Sequence, residues 1–188
     1  MKNVLLIRHG ATAGNLARRY IGRTDEPLCE VGVKQIAALR EKRFAAETVF
    51  VSPMLRARET AELLFADQKH IVVDGLRETD FGIFEGKTAE ELAGCPDYQV
   101  WVDGWCRGAI PGGESKNEAA DRAAAAFLQA MDAAGEGCAA FVTHGGVIMA
   151  LVERFGAEKA DFYDYHVKNG GYLCCRWDGE HLFVAEKG

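Results

Sequence analysis

Short apolar runs alternate with helix-like segments along most of this chain, and few folds accommodate that order. The strand-like runs occupy residues 4–7, 48–51, 71–73, 139–143, 172–177 and 181–185, and apolar residues recur at helical spacing over 31–43, 53–65, 115–134 and 147–155. Short runs that alternate with helices favour a parallel sheet whose strands are buried on both faces. We therefore predict an α/β fold, a three-layer sandwich in which a mostly parallel open sheet carries helices on both faces.

Local signals fix two boundaries and the number of domains. Ser115 and Glu118 have the spacing of a capping box at the start of the long third helix. Asp178-Gly179, between the last two apolar runs, predicts a closing hairpin. No Pro- or Ser-rich linker and no internal repeat divides the sequence, so residues 1–188 are predicted to form a single domain.

The charge balance excludes several kinds of partner. A formal net charge of −6 and an isoelectric point near 5.4 argue against a general nucleic-acid or membrane-surface binder, since such proteins usually carry a basic field. No apolar run approaches the roughly 18 residues of a spanning helix, and the first residues do not resemble a signal sequence, so a cytoplasmic location is expected. Because the chain is acidic overall, any anionic ligand must meet a local cluster of Arg or Lys.

Six cysteines without zinc-type spacing predict reduced, mostly buried thiols.

Candidate functional residues follow three of the predicted strands. In open α/β sheets, ligands bind outside the carboxyl ends of the strands. Three of these junctions carry residues suited to anion binding: Arg8-His9-Gly10, Ser52-Pro53 with Arg56 one turn later, and His144-Gly145-Gly146. A single strand-end histidine is more often structural than catalytic, but three independent junctions at one sheet edge favour a functional site. The remaining histidines, His70, His166 and His181, are expected to have structural or solvated roles.

The junction after the second strand predicts an anion site. Ser52 is a suitable N-cap and Pro53 a suitable first helical residue, which would place Arg56 in the first turn. Backbone N–H groups and the positive end of the helix dipole lie near such a position. Glycine at the other two junctions would let the backbone approach a phosphate closely.

These residue types fit metal-independent phosphoryl transfer. That reaction needs an in-line nucleophile, positive charge on the phosphoryl oxygens and a proton donor for the leaving oxygen. Arginines can supply the charge, and they also disfavour protonation of a neighbouring histidine, so His9 is expected to stay neutral and nucleophilic. The acid would be a carboxyl group from the segment 76–86, where Glu78, Asp80 and Glu85 all remain candidates. No metal and no cofactor is expected.

Five motifs in order resemble the histidine phosphatase superfamily, which includes the cofactor-dependent phosphoglycerate mutases. They are Arg8-His9-Gly10 with Thr12 and Asn15, Gly22-Arg23-Thr24-Asp25 with Pro27-Leu28, Ser52-Pro53 through Arg56-Ala57, Pro111-Gly112-Gly113-Glu114-Ser115, and His144-Gly145-Gly146-Val147-Ile148. The resemblance runs over nearly the whole chain.

The resemblance implies a role for each matching residue. His9 would be the phosphorylated nucleophile, and Glu78 the proton donor that later activates water. Phosphate binding would fall to Arg8, Arg56 and His144, and substrate contacts to Asn15, Gly22 and Gly145. The expected partner is a small-molecule phosphate ester, while the oligomeric state stays open.

Three functional classes fit the resemblance: a hydrolase, a mutase that returns the phosphoryl group to the substrate, and an idle phosphate-binding module. Mutases of the superfamily are longer and tend to have Asn in place of Gly146, so the short chain favours a phosphomonoester hydrolase. The segment 76–86 and the Gly112–Ser115 loop look most like α-ribazole phosphatases of cobalamin nucleotide-loop assembly, although broad-specificity phosphatases share much of the pattern. Ala11 and Met149 depart from it, as does Cys29 at a usual Ser or Thr helix cap.

Three aromatic residues between the segment 76–86 and the Gly112–Ser115 loop allow two interpretations. Tyr98, Trp101 and Trp105 could form a lid that stacks on a substrate ring. They could equally belong to a helix that packs its aromatic side chains into the domain.

Overall fold

The computed structural model of the chain describes residues 1–158 and 162–188. Within these residues six strands form one sheet in the order β3-β2-β4-β1-β5-β6. The strands are β1 (Lys2–Arg8), β2 (Thr48–Val51), β3 (His70–Val72), β4 (Ala139–Thr143), β5 (Tyr172–Trp177) and β6 (Leu182–Lys187). The first four are mutually parallel, and β5 and β6 close the sheet as an antiparallel pair. The mostly parallel open sheet is confirmed.

The helices cover both faces of the sheet. They are α1 (Ala13–Leu16), α2 (Glu30–Arg40), α3 (Leu55–Leu64), α4 (Ala89–Leu92), α5 (Pro96–Asp103), α6 (Lys116–Ala133) and α7 (Gly145–Phe155), with 3₁₀ turns at Asp74–Leu76, Gly82–Phe84 and Phe162–Tyr165. Val4 and Leu6 of β1 face the core formed with α6 and α7, whereas Leu5 and Ile7 face the core formed with α2 and α3. Because side chains alternate along a strand, the apolar run of β1 serves both cores.

The sheet register brings the candidate junctions together. β1 and β4 are neighbours, with Arg8 paired to Thr143, so the residues that follow them, His9 and His144, lie side by side. β2 lies on the other side of β4, and its next residue, Ser52, points to the same edge. The two central crossovers thus gather all three junctions at the carboxyl end of the sheet.

One helix start differs from the sequence prediction, and another lacks the usual side-chain cap as expected. α3 begins at Leu55 with Met54 as N-cap, so the prediction that Ser52 caps this helix and Pro53 opens it was wrong. The Ser52 hydroxyl instead contacts His144. Arg56 nevertheless lies in the first turn, as predicted. Cys29 occupies the N-cap of α2, and within the described chain its side chain makes no capping hydrogen bond.

The capping box and the closing hairpin are confirmed, whereas the expectation for the cysteines is not. Ser115 and Glu118 form the capping box of α6. The hairpin between β5 and β6 turns at Gly179, whose φ of 111° suits glycine. All six cysteines lie in the described part of the chain as free thiols, but only Cys175 is buried and the other five are half-buried, so the expectation of mostly buried thiols was wrong. Among the described residues, no helix is long and apolar enough to cross a bilayer.

A third, smaller hydrophobic cluster is separate from the two cores of the sheet and contributes to the wall of a pocket. It consists of Phe84, Leu92, Tyr98, Trp101 and Ile110, all buried. The packing interpretation is therefore correct for Tyr98 and Trp101. Trp105 differs, because 81% of its surface is exposed and its backbone adopts a left-handed conformation with φ of 58°.

Candidate active site

His9 is held in one orientation at the end of β1. Its ring is only 3% exposed, and its Nδ1 lies 2.7 Å from the carbonyl oxygen of Gly10. A carbonyl oxygen can only accept, so Nδ1 carries the proton and Nε2 of the neutral ring keeps its lone pair. This tautomer leaves Nε2 as a nucleophilic atom.

His9 is strongly biased toward its neutral form. Burial is the largest cause that lowers its pKa well below 6.5, and the positive charges of Arg56 and Arg8 add to it. The expectation that guanidinium groups keep His9 neutral is confirmed, with burial as the larger contribution.

His144 lies beside His9 and is fixed by Ser52. The two imidazole centroids are 5.1 Å apart, edge to face. The Nε2 atom of His144 is 2.7 Å from the Ser52 hydroxyl, which also accepts a hydrogen bond from the backbone N–H of Met54. That hydroxyl can donate to Nε2, an arrangement in which the proton of the neutral His144 ring lies on Nδ1. Burial, and then the charge of Arg56, lowers the pKa of His144 well below 6.5.

The two arginines are tied to backbone carbonyls. Arg56 is fully buried, and its Nη atoms donate to the carbonyl oxygens of Thr24 at 2.9 Å and Gly22 at 3.0 Å, with Ile21 at 3.4 Å. Arg8 donates through Nη1 to the carbonyl oxygen of Val167 at 2.7 Å. Burial is the largest cause that lowers the pKa of each guanidinium.

Several buried side-chain atoms have no hydrogen-bond partner within the described chain, and three of them belong to the candidate phosphate-binding residues: Nε of Arg8, Nε of Arg56 and Nδ1 of His144. Each can donate a proton to an oxygen. A buried donor without a partner costs about 1–3 kcal/mol, so folded proteins rarely leave several together. These donors belong to the histidine ring beside His9 and to the two arginines whose charges act on it, and together they indicate a site built for an anion with several oxygens.

Glu78 faces the same site. Its Oε1 accepts from the backbone N–H of Thr79 at 2.9 Å, and its Oε2 accepts from that of Gly146 at 3.1 Å. Its charge acts on both Arg8 and Arg56. A Cβ atom on Gly146 would lie 2.4 Å from Oε1 of Glu78, so glycine at this position makes room for the carboxyl group.

The other two candidate carboxyl groups have different tasks. Asp80 pairs with Arg23 at 3.0 Å and accepts from the backbone N–H of Gly82. Glu85 accepts from the backbone N–H groups of Gly22 at 2.8 Å and Thr24 at 2.9 Å. Glu78 is thus the one of the three carboxyl groups whose charge acts on both Arg8 and Arg56.

The three expected substrate-contact residues are placed differently. Gly145 starts α7 beside the Arg8 guanidinium, where a Cβ would come within 3.2 Å of Cζ. Asn15 closes the capping box of α1 and accepts from the Asn169 amide at 2.9 Å, so it is linked to His9 only through Asn169, which donates to the His9 carbonyl oxygen. The N–H of Gly22 already bonds Glu85 and its carbonyl oxygen accepts from Arg56, so Gly22 holds Arg56 in place and has no free donor for a substrate.

Sequence reasoning missed several contributors to the site. Thr60 accepts from the N–H of Gly10 at 3.1 Å, and Asn169 donates to the carbonyl oxygen of His9 at 3.3 Å. His166 is exposed, as expected of a solvated residue, but its Nε2 also lies 3.3 Å from Nη1 of Arg8. Such contacts arise between distant segments and have no local sequence signal.

A pocket of about 760 Å³ opens beside Glu78 and Gly146. Its apolar and aromatic lining includes Tyr20, Phe81, Trp101, Trp105, Ile110, Val147, Met149, Ala150, Phe162 and Tyr163. Of the two departures from the resemblance, Met149 adds apolar surface to this wall. Ala11 is buried away from it, with its N–H bonded to Gln35. The exposed Trp105 lines the pocket, which the lid interpretation requires.

The fold and the paired strand-end histidines define the class of protein. The chain belongs to the histidine phosphatase superfamily, whose branch 1 profile matches residues 4–187. A curated relative from Escherichia coli O1:K1 / APEC, named "Probable phosphoglycerate mutase GpmB", is 34% identical over 160 residues, which cover 81% of this chain and 74% of the relative.

Two solved structures illustrate the range of similar proteins. The α-ribazole phosphatase from Shigella flexneri superposes with a TM-score of 0.88 at 24% identity and covers 98% of this chain and 95% of its own. A phosphoglycerate mutase from Thermus thermophilus gives a TM-score of 0.75 at 29% identity, with 98% and 97% coverage. The first of these likenesses concerns the fold alone.

Proposed function

We propose that this protein hydrolyses a small phosphate monoester, without a metal ion, through a phosphohistidine intermediate on His9. The observation that carries the proposal is the set of three unpartnered buried donors on Arg8, Arg56 and His144, the residues whose charges or ring act on the neutral His9 imidazole. Three phosphoryl oxygens would supply the acceptors that Arg8, Arg56 and His144 lack. In the described part of the chain, no three metal-ligating side chains lie close enough to hold a metal ion. In this proposal the arginine and histidine donors stabilise the negative charge on the transferring phosphoryl group.

In the first step, Nε2 of His9 attacks phosphorus in line with the bond to the leaving oxygen. The N–P bond forms as the P–O bond breaks, and the positive charge of the phosphorylated ring is stabilised by the Nδ1–H bond to the Gly10 carbonyl. Protonated Glu78 gives its proton to the leaving oxygen, so an alcohol departs.

In the second step, the carboxylate of Glu78 takes a proton from water, whose oxygen attacks phosphorus. The P–N bond breaks, inorganic phosphate leaves, and His9 is again neutral with Nε2 free. Glu78 is protonated at the end, ready for the next cycle. One carboxyl group therefore serves as acid and then as base.

We propose α-ribazole 5′-phosphate, an intermediate of cobalamin biosynthesis, as the substrate. The pocket beside Glu78 has the volume of a typical small-molecule site and an aromatic and apolar wall, which suits a ribose bearing a dimethylbenzimidazole ring. The Shigella structure named as an α-ribazole phosphatase shares the fold over nearly the full chain. Trp105, exposed and in a strained backbone conformation, would stack on the ring.

Phosphoglycerate mutase activity is the second candidate, favoured by the names of the GpmB relatives. A three-carbon acid would fill little of a 760 Å³ pocket whose wall is mostly apolar. A broad-specificity phosphatase remains the third candidate, because the pocket wall would accept several rings.

The deciding experiment compares kcat/KM, in EDTA, for phosphate release from α-ribazole 5′-phosphate, p-nitrophenyl phosphate and 3-phosphoglycerate. We expect a strong preference for the first. The variant His9→Ala should lose activity on all three, whereas His181→Ala, which alters an exposed histidine at the far hairpin, should keep it. Equal slow turnover of the three esters would contradict the assigned substrate. Isomerisation of 3-phosphoglycerate faster than its hydrolysis would contradict the hydrolase, and activity only with added metal would contradict the arginine-based mechanism.

A further inference from the structure

One arginine outside the phosphate site is bound to the segment that carries Glu78. Arg122 projects from α6 and is 15% exposed. Its Nη1 donates to the carbonyl oxygens of Gly75 at 2.9 Å and Arg77 at 2.8 Å, and its Nη2 lies 3.4 Å from that of Glu78 itself. A planar guanidinium thus holds three carbonyl groups of one irregular segment.

Glu114 completes this arrangement from the opposite side. It accepts from Nε of Arg122 at 2.8 Å and from Nη2 at 2.6 Å, a two-point ion pair. Its Oε2 also accepts from the N–H of Asp80 at 3.0 Å, while its own N–H donates to the Asp80 carbonyl at 2.9 Å. The Arg122–Glu114 pair therefore holds the backbone on both sides of Glu78.

The surroundings make this pair strong. Both side chains are mostly buried, Glu114 at 20% exposure, so solvent screens the pair less than a surface salt bridge. Burial opposes ionisation of Glu114, but hydrogen bonds from Arg122 and from the Asp80 N–H outweigh it and hold the pKa of Glu114 below its usual range.

Glu78 depends on such external support. Its segment follows a 3₁₀ turn and belongs to no strand or longer helix. The carboxyl group itself accepts two hydrogen bonds, from the N–H groups of Thr79 and Gly146, and Gly146 belongs to α7. A small shift of the backbone at Glu78 would carry the carboxyl group away from Gly146 and from the leaving oxygen.

We propose that Arg122, together with Glu114, is a positioning residue that places Glu78 for proton transfer to the leaving group. This inference rests on the proposed function, in which Glu78 is the acid. Arg122 itself would touch neither the substrate nor the reacting atoms.

Leaving-group dependence separates positioning from a general loss of structure. The p-nitrophenolate ion departs without a proton, whereas an alkoxide from glycerol 2-phosphate needs one. Since kcat/KM reports steps up to phosphorylation of His9, we expect Arg122→Gln to lower it about 10- to 100-fold for glycerol 2-phosphate and about threefold or less for p-nitrophenyl phosphate. Glu114→Gln keeps the shape of the side chain. It should also lower kcat/KM more for glycerol 2-phosphate than for p-nitrophenyl phosphate, but by a smaller factor.

Two further variants calibrate the measurement. Glu78→Gln removes the acid itself, so it should lower the ratio of kcat/KM for glycerol 2-phosphate to kcat/KM for p-nitrophenyl phosphate by more than Arg122→Gln does. Arg154→Gln removes an exposed arginine–carboxylate pair that also joins α6, through Asp121, but does not reach the Glu78 segment, and it should leave both substrates unaffected.

Each result has a distinct meaning. Equal losses on both substrates for Arg122→Gln and Glu114→Gln would overturn the positioning role and indicate support of the fold alone. An unchanged ratio in both variants, with the expected change in Glu78→Gln, would overturn it while leaving the proposed function intact. An unchanged ratio in Glu78→Gln would instead overturn the acid assignment, and the positioning role with it.

Discussion

Replacing Gly146 by alanine should separate activity from stability. The added Cβ would lie 2.4 Å from Oε1 and 3.2 Å from Cδ of Glu78, in a space that the carboxyl group now fills. The backbone N–H that bonds Oε2 is retained, so the change is purely steric. Glu78 must therefore move, because the first turn of α7 is held by its helix and the carboxyl end is the flexible partner.

The size of the effect follows from the distances. Ordinary contact between carbon and oxygen begins at about 3.4 Å, so Oε1 must shift by about 1 Å, a misplacement that commonly costs about 100-fold in rate. Helix propensity acts in the opposite direction, since alanine is favoured over glycine by up to about 1 kcal/mol within a helix. We expect the variant to lose most of its kcat/KM for alkyl phosphates with an unchanged or slightly higher melting temperature.

The assay is phosphate release from glycerol 2-phosphate alongside thermal unfolding. Gly94→Ala is the matched control, because a Cβ there meets nothing within 4 Å. If Gly146→Ala keeps the parental rate, Glu78 need not occupy the observed position during catalysis, and the acid role drawn from this geometry fails. If activity and melting temperature fall together, the steric reasoning fails instead.

Three further predictions test other parts of the site. The ordinary histidine pKa of 6.5 applies to the unfolded chain, whereas burial lowers the pKa of His9 and His144 in the folded protein. The unfolded chain therefore binds more protons below pH 6.5, and the free energy of unfolding, measured with urea, should fall as the pH drops below 6.5. A free energy of unfolding that does not change with pH would contradict the buried neutral pair. Cys29→Ser should add the missing cap of α2, about 1 kcal/mol and about 2–4 °C in melting temperature, and no gain would refute the vacant cap. Trp105→Ala should lower kcat/KM for α-ribazole 5′-phosphate about tenfold without destabilising the fold, since stacking on a ring is worth about 1–3 kcal/mol, whereas Trp101→Ala should lower the free energy of unfolding by about 3–5 kcal/mol; the reverse pattern would contradict their assigned roles.

Several features of the site could be predicted from the sequence because they depend on residues that are close along the chain. The apolar runs located the strands, and a histidine directly after such a run in a parallel sheet has to lie at the sheet edge. Ser52 shows the limit of that reasoning, because its sequence context favours a helix cap while its hydroxyl bonds to His144, 92 positions along the chain. Arg122 shows it again, since no local pattern links α6 to the segment around Glu78.

The sequence by itself determined the succession of the six strands and of helices α2, α3, α6 and α7 along the chain, the edge at which His9 and His144 emerge, and the family motifs around them. These depend on side-chain alternation, helical spacing and residues adjacent along the chain. Tertiary structure decided which carboxyl group acts on both arginines, which aromatic residue stays exposed at the pocket, and which arginine and histidine donors are left without partners. Such outcomes depend on the directions of side chains that are brought together from distant segments, and a one-dimensional pattern does not contain those directions.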